Sequence, residues 1–273
     1  MLLSWPIEPS VSVPVLLTGA LYLRGWRALR RRMPERFDAR RGAAFTAGLV
    51  VVLLAVAAPL DALAHRRLSA HMVQHLLLMM VAPPLLWMGA PVAPLVVALP
   101  RRIRGAVVSG LSRPSLARMA RWTLHPGVAW VAFALSFWFW HAPALYDLAL
   151  RSDLWHHAEH VCFVASALLF WRPVIRPWPA RTPWPRWAMI PYLLLAALQS
   201  MPLAAILTFA DRIVYTAYAA YDAGQGVVAL DDQALAGVIM WVPGSLPLLL
   251  PVLWLTLELS SPPGAAQSAC KRS

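Results

Sequence analysis

Charged residues and cysteines are scarce in this sequence. Only 13% of its 273 residues are Asp, Glu, Lys or Arg, whereas 60% are apolar. A soluble domain carries about 25% charged residues, so the composition excludes an ordinary soluble domain and favours a membrane protein. The only two cysteines, Cys162 and Cys270, are far apart in the chain, and no disulfide framework is predicted.

Basic residues are absent from the first 14 positions, which lack the positively charged segment of a cleavable signal peptide. The first apolar run is therefore expected to be retained. Seven runs are long enough to cross a bilayer, for which about 20 apolar residues are needed. They predict one all-α, polytopic helix bundle that forms a single membrane domain over residues 1–273. The predicted spans are 9–26, 43–64, 70–88, 126–145, 155–173, 187–210 and 234–256.

Acidic residues are half as frequent as basic ones, with 12 Asp and Glu against 24 Lys and Arg. If the N-terminus is outside, the inner segments hold 20 of the basic residues and three of the acids. The outer segments then hold four Arg and eight acids. This distribution obeys the positive-inside rule and predicts an external N-terminus and a cytoplasmic C-terminus. The net charge of +12 is then explained by orientation and by anionic membrane lipid, and no nucleic-acid partner is predicted.

The third apolar run is too long for one straight span. It continues through Pro83 and Pro84 as far as Leu99, about 30 residues that would extend about 45 Å as one helix. The sequence therefore predicts a kink or break, followed by a short second piece near the inner surface.

The eight histidines all lie between residues 65 and 160, and seven of them map to the predicted outer side. His71 and His75 are four residues apart on one helical face, and His156 and His160 repeat this spacing on another helix. His141 lies at the outer end of the fourth span. Neutral imidazoles clustered at one depth favour a metal site, because buried polar groups in a bilayer need partners or a function. The predicted ligands are His71, His75, His141, His156 and His160.

Nearby acids and methionines suggest which metal would bind. Thioether together with imidazole selects soft Cu(I) over zinc, and outer acids attract cations. The side chains expected to surround the ligands, orient the imidazoles or draw in the cation are Asp61, Met72, Glu159 and Met240.

Other interpretations use the same residues. His75 and His160 could be axial ligands of a b-type haem in a membrane electron carrier. The segment from His156 to His160 reads H-x-x-E-H, the string of inverted zinc peptidases, but a five-residue match is a weak signal and no enzyme activity is predicted. A copper transporter and a membrane scaffold without metal also remain open.

Several segments together carry a family resemblance, which covers residues 45–256. Among them are HMVQH at 71–75, WHAPALY at 140–146, HHAEH at 156–160 and IMWVPG at 239–244. With these segments the chain resembles the CtaG family of cytochrome c oxidase assembly factors. The resemblance implies a role in maturing the haem-copper oxidase, with copper supplied or positioned on the outer side. It also implies a location in the bacterial inner membrane and oxidase subunits as partners, and a periplasmic copper carrier is a candidate donor.

Overall fold

The computed structural model of the chain describes residues 9–57, 59–179, 182–221 and 229–261. These residues form thirteen α-helices, a π-helical segment (Leu77–Val81) and two 3-10 segments (Arg186–Ala188 and Thr216–Tyr221), with no β-strand among them. The predicted all-α class is therefore confirmed. The α-helices are α1 (Pro9–Arg32), α2 (Ala39–Val56), α3 (Leu60–Ala64), α4 (Leu68–Leu76), α5 (Ala82–Met88), α6 (Val92–Ala98), α7 (Arg101–Leu111), α8 (Pro114–Thr123), α9 (Pro126–Trp140), α10 (Pro143–Arg151), α11 (Asp153–Ile175), α12 (Met189–Phe209) and α13 (Ala229–Ser260).

Five helical segments of the described residues are long and apolar enough to cross a membrane. They correspond to the second, third, fifth, sixth and seventh predicted spans, so a multi-pass membrane protein is supported. These segments are Ala39–Val56, Leu68–Met88, Asp153–Ile175, Arg186–Phe209 and Ala229–Ser260.

The other two predicted spans are less regular. At 126–145 the chain forms α9 and α10, which are bent by 73° and count as a sixth candidate span only if taken together. Pro143 accounts for the break, because a proline disfavours helical backbone at the residue before it, and Ala142 is extended. At 9–26 the chain forms α1, which is long but is not among the candidate spans. The count of seven and the orientation remain predictions, and the terminal residues 1–8 and 262–273 lie outside the described residues.

The predicted break in the third run is present, and it occurs in two stages. First, α4 passes through the π-helical segment into α5. Pro83 and Pro84 lack the N–H groups that would bond the Met79 carbonyl in an α-helix or a π-helix, respectively. The Trp171 indole on α11 donates to this carbonyl instead, with 2.9 Å between Nε1 and the oxygen. A neighbouring helix thus satisfies the backbone group that the prolines leave free.

The second stage of the break lies between α5 and α6. Ala90 there has a φ of 47°, in the left-handed region, and Pro91 follows it. The Tyr22 hydroxyl of α1 donates to the carbonyl of Gly89 at 2.8 Å. The short helix α6 then packs against α1, so the chain turns back instead of continuing the span.

Helix packing brings α4, the end of α9 and the start of α11 together at one end of the bundle. The helix α4 packs against α13, while α11 packs against α9, α5 and the π-helical segment. Below this end, stacked rings fill the core, with centroids 4.3 Å apart for Phe133 and Phe170 and 4.8 Å apart for Phe170 and Tyr192. Because α4 and α11 begin where α9 ends, their terminal turns lie at similar depth.

Candidate metal centre

The five predicted histidine ligands converge at this end of the bundle. Each is buried, with at most 7% of its surface exposed. On α4, the Nε2 atoms of His71 and His75 are 2.8 Å apart. From His75, the ring centroid of His141 is 5.8 Å away and that of His160 is 5.9 Å away. The rings of His156 and His160 on α11 are separated by 4.2 Å. The spacing of four residues therefore places both pairs on helical faces that meet.

Glu159 lies inside this cluster and not around it. Its carboxylate is fully buried, with Oε2 at 3.8 Å from His71 Nε2 and Oε1 at 3.6 Å from His75 Nε2. One donor atom from each of His71, His156, Glu159 and His160 lies within 4.8 Å of the others. Ligands of one ion, at about 2.0–2.2 Å each, lie at most about 4.4 Å apart. Small side-chain rotations would therefore let these four residues bind one ion.

Several donor atoms in the cluster have no hydrogen-bond partner among the described residues. They are His75 Nδ1, His141 Nε2, His156 Nε2, His160 Nε2 and both carboxylate oxygens of Glu159. Each buried polar atom without a partner costs about 1–3 kcal/mol. Imidazole nitrogens and a carboxylate oxygen are ligands that copper, zinc, iron and nickel accept. The donor set therefore fits a bound cation, which would satisfy those of these atoms that face it.

Hydrogen bonds assign the tautomers of two histidines. Burial raises the pKa of the Tyr218 hydroxyl, which is therefore neutral and donates to the Ala64 carbonyl at 2.8 Å. His71 Nδ1, 3.0 Å from the same hydroxyl, must then be the donor to it. His141 Nδ1 donates to the Phe137 carbonyl at 2.7 Å. In both rings the proton is on Nδ1, so Nε2 carries a lone pair. The lone pair of His141 Nε2 has no partner among the described residues, whereas that of His71 accepts a hydrogen bond from His75 Nε2, which a metal ion would replace.

A second group of donors, the rim group, connects the cluster to the surface. Asp61, His65 and His156 offer ligand atoms within 4.8 Å of one another. The Asp61 and His65 side chains are about one third exposed. Gln74 Nε2 donates to Asp61 Oδ1 at 2.9 Å, which positions the carboxylate. Because His156 belongs to both groups, the rim group and the buried cluster share a ligand.

The two predicted methionines lie on the other side of the cluster. Met72 and Met240 are buried and line a small cavity beside His75 and His141. His125, which is predicted to lie on the inner side, accepts a hydrogen bond from the Gly127 N–H and caps α9.

Sequence reasoning assigned no role to Tyr218 or to His65. Tyr218 is 147 positions from His71, and no local spacing connects the two residues. His65 did carry a signal, since it is one of the seven outer histidines, but it falls outside the two pairs spaced four residues apart.

Comparison with known proteins assigns the family. The family model of the cytochrome c oxidase caa3 assembly factor (Caa3_CtaG) matches residues 20–261. The chain belongs to the CtaG family. The matched residues include the whole histidine cluster and the rim group of this CtaG-family protein.

Two curated relatives are longer than this CtaG-family chain. They are the uncharacterized proteins Mb0105 of Mycobacterium bovis and MT0111 of Mycobacterium tuberculosis, each 25% identical over 271 residues. The similarity covers 93% of this chain and 39% of each relative. The chain thus spans about two fifths of the length of these relatives. No solved structure matches it.

Proposed function

We propose that this CtaG-family protein holds copper transiently in the histidine cluster and aids the metallation of cytochrome c oxidase at the outer membrane face. The observation that carries the proposal is the convergence of five buried imidazoles and Glu159 with unpartnered donor atoms. The family description, a cytochrome c oxidase assembly factor, supports the oxidase as the recipient. Copper is the cargo of the protein, and the oxidase subunits receive it in the bacterial inner membrane. A periplasmic copper carrier is the candidate donor.

Charge balance favours Cu(I) over a divalent ion. The buried donors include one carboxylate, that of Glu159, and otherwise neutral imidazoles. A monovalent ion together with this carboxylate has no net charge. A divalent ion would leave one uncompensated positive charge in a medium of low dielectric constant, at a cost of several kcal/mol.

Transient binding requires ligands that can be exchanged one at a time. The rim group supplies such a route, because Asp61 and His65 are accessible and His156 is shared with the buried donors. Copper arriving at the rim group can therefore be transferred inward without losing all its protein ligands, and it can leave in the reverse order.

The test is copper binding by the purified full-length protein. His71→Ala together with His75→Ala removes two of the five imidazoles, and we expect the affinity for Cu(I) to fall at least tenfold in competition with a chelator. His125→Ala is the matched control, because His125 is an exposed histidine that caps α9. Binding by the double variant that equals binding by the wild-type protein would show that the proposed site is wrong.

Two alternatives meet obstacles in the structure. A b-type haem between His75 and His160 needs a slot far larger than the cavity beside His75, which measures about 40 Å³. A strong Soret band in the purified protein would nevertheless favour the electron carrier.

A transporter needs a path through the inner half of the bundle, where the buried rings of Phe133, Phe170 and Trp171 pack. In a deletion strain, loss of oxidase copper with unchanged cellular copper favours assembly, and altered cellular copper favours transport.

A further inference from the structure

A methionine-lined cavity lies directly beside the histidine cluster. It measures about 40 Å³, enough for a water molecule or a metal ion. Four methionines line it, and the polar part of its wall is formed by Ser200 and by two ligand candidates, His75 and His141. The four methionines are Met72 of α4, Met79 and Met80 of the π-helical segment, and Met240 of α13.

We propose that this cavity is a second metal site, selective for soft monovalent ions of the Cu(I) and Ag(I) class. Thioether sulfur is neutral and polarisable, and it binds Cu(I) in preference to harder ions such as Zn²⁺ or Mg²⁺. None of the described residues that line the cavity is a carboxylate, so a monovalent ion would carry one uncompensated charge there and a divalent ion two, which favours the monovalent ion. The proposal rests on the proposed function, because it places a soft-metal site next to the histidine cluster that receives the copper.

His75 connects the two sites. Its Nε2 atom faces the cluster, 2.8 Å from His71 Nε2 and 3.6 Å from Glu159 Oε1. Its Nδ1 atom, on a different edge of the ring, is buried and has no hydrogen-bond partner among the described residues. His75 itself lines the cavity. One imidazole can therefore offer a nitrogen to each site in turn.

His141 adds an unpartnered nitrogen to the cavity wall. Its Nδ1 atom donates a hydrogen bond to the Phe137 carbonyl, and its buried Nε2 atom has no partner in the described part of the chain. Phe137 and His141 both line the cavity. Packing alone explains four methionines, but it does not explain two buried imidazole nitrogens left without partners beside them.

The distinguishing variant is Met72→Leu together with Met240→Leu. Leucine conserves the volume of methionine, so a packing role predicts little change in Tm and unchanged metal binding. Ligation predicts loss of about one equivalent of bound Ag(I), or at least a tenfold weaker affinity for Ag(I), with binding of Zn²⁺ unchanged. The matched control is Met189→Leu, because Met189 is buried at the start of α12 and is absent from the cavity wall.

X-ray absorption of the silver-loaded protein provides a measurement that does not depend on these variants. Cys162→Ser and Cys270→Ser are introduced first, so that methionine is the only sulfur in the chain. We expect sulfur scattering around silver in this protein, and weaker sulfur scattering in the Met72 and Met240 double variant, in which Met79 and Met80 are the sulfur-bearing residues left in the cavity wall. Silver surrounded only by nitrogen and oxygen, or scattering that survives the double variant unchanged, would overturn the proposal.

The two proposals fail in different ways. If the methionine variant binds Ag(I) and Cu(I) as the parent protein does, the cavity is not a site, while the histidine cluster is unaffected. If His71→Ala with His156→Ala leaves Cu(I) binding unchanged but the methionine variant reduces it, the histidine proposal is wrong and the cavity proposal stands.

Discussion

Two hydrogen bonds decide which nitrogen of His71 and His141 can face a metal ion. The carbonyl of Phe137 holds the proton on His141 Nδ1, and the Tyr218 hydroxyl holds the proton on His71 Nδ1. Such partners orient the imidazole ring and raise its basicity, and their removal typically weakens metal binding by about 10–100-fold. The residues that orient the ligands therefore matter almost as much as the ligands themselves.

Tyr218→Phe tests this orienting contact. The change removes the acceptor for His71 Nδ1 and frees the ring to adopt the other tautomer, so we expect about tenfold weaker binding of Cu(I). A competition titration with a Cu(I) chelator measures the effect. Tyr192→Phe is the control, because it removes a buried hydroxyl that bonds only the Phe170 carbonyl. Equal losses in both variants would argue for a general structural effect.

His65→Ala tests the rim group. The change removes an accessible ligand and leaves the buried donors in place, so copper should bind with the same stoichiometry. Release to an excess of chelator, followed by stopped-flow absorbance, should slow several-fold because an exchange step loses its ligand. His125→Ala should release copper at the wild-type rate. A rate that His65→Ala leaves unchanged would contradict the proposed route.

At the scale of secondary-structure elements, the third span depends on a contact from another helix. Pro83 and Pro84 remove both N–H groups that could bond the Met79 carbonyl, and the Trp171 indole replaces them. A carbonyl without a partner inside a membrane costs several kcal/mol, so α4 and α5 can remain continuous only while α11 packs against them.

Trp171→Phe tests that contact. The phenyl ring fills much of the space but cannot donate, so the Met79 carbonyl loses its partner. We expect the free energy of unfolding to fall by about 1–3 kcal/mol, measured as a lower Tm in detergent. Trp187→Phe is the control, since the Trp187 side chain is mostly exposed. The same Tm for both variants would show that the indole hydrogen bond contributes nothing to stability.

Local sequence patterns predicted the helices that carry the site. They did not predict the contacts between those helices. The spacing of four residues in His71 and His75 is a property of one helix and could be identified from the sequence. The inclusion of Glu159 among the donors depends on how α11 is rotated against α4, and consecutive residues point in directions about 100° apart. The methionine cavity likewise needs α4, α13 and the π-helical segment to meet, which no local spacing encodes.

At the scale of the whole molecule, the histidine cluster and Arg172 lie toward opposite ends of α11. On α11 the cluster residue His160 and Arg172 are 12 positions apart, which corresponds to about 18 Å along the helix axis. At the end of the third span, Tyr22 contacts the carbonyls of both Gly89 and Arg41. If the arginines are cytoplasmic, as the positive-inside rule predicts, the cluster faces outward.

Cysteine labelling tests this orientation. Starting from the chain with Cys162→Ser and Cys270→Ser, Leu154→Cys places an exposed thiol beside the cluster and Leu111→Cys places one among the arginines. A membrane-impermeant maleimide should label position 154 in intact spheroplasts and position 111 only after permeabilisation. The reverse pattern would invert the topology and place the metal centre on the cytoplasmic side.

The sequence alone determined the helical class, five of the candidate spans, the break near Pro83 and the depth of the histidines. These features follow from composition and from periodicity within single helices, which are local properties of the chain. Tertiary structure alone decided that the five imidazoles meet, that Glu159 joins them, and that Tyr218 orients His71 from 147 positions away. Those contacts depend on how helices distant in sequence rotate and pack, and packing is settled by the whole set of side chains together.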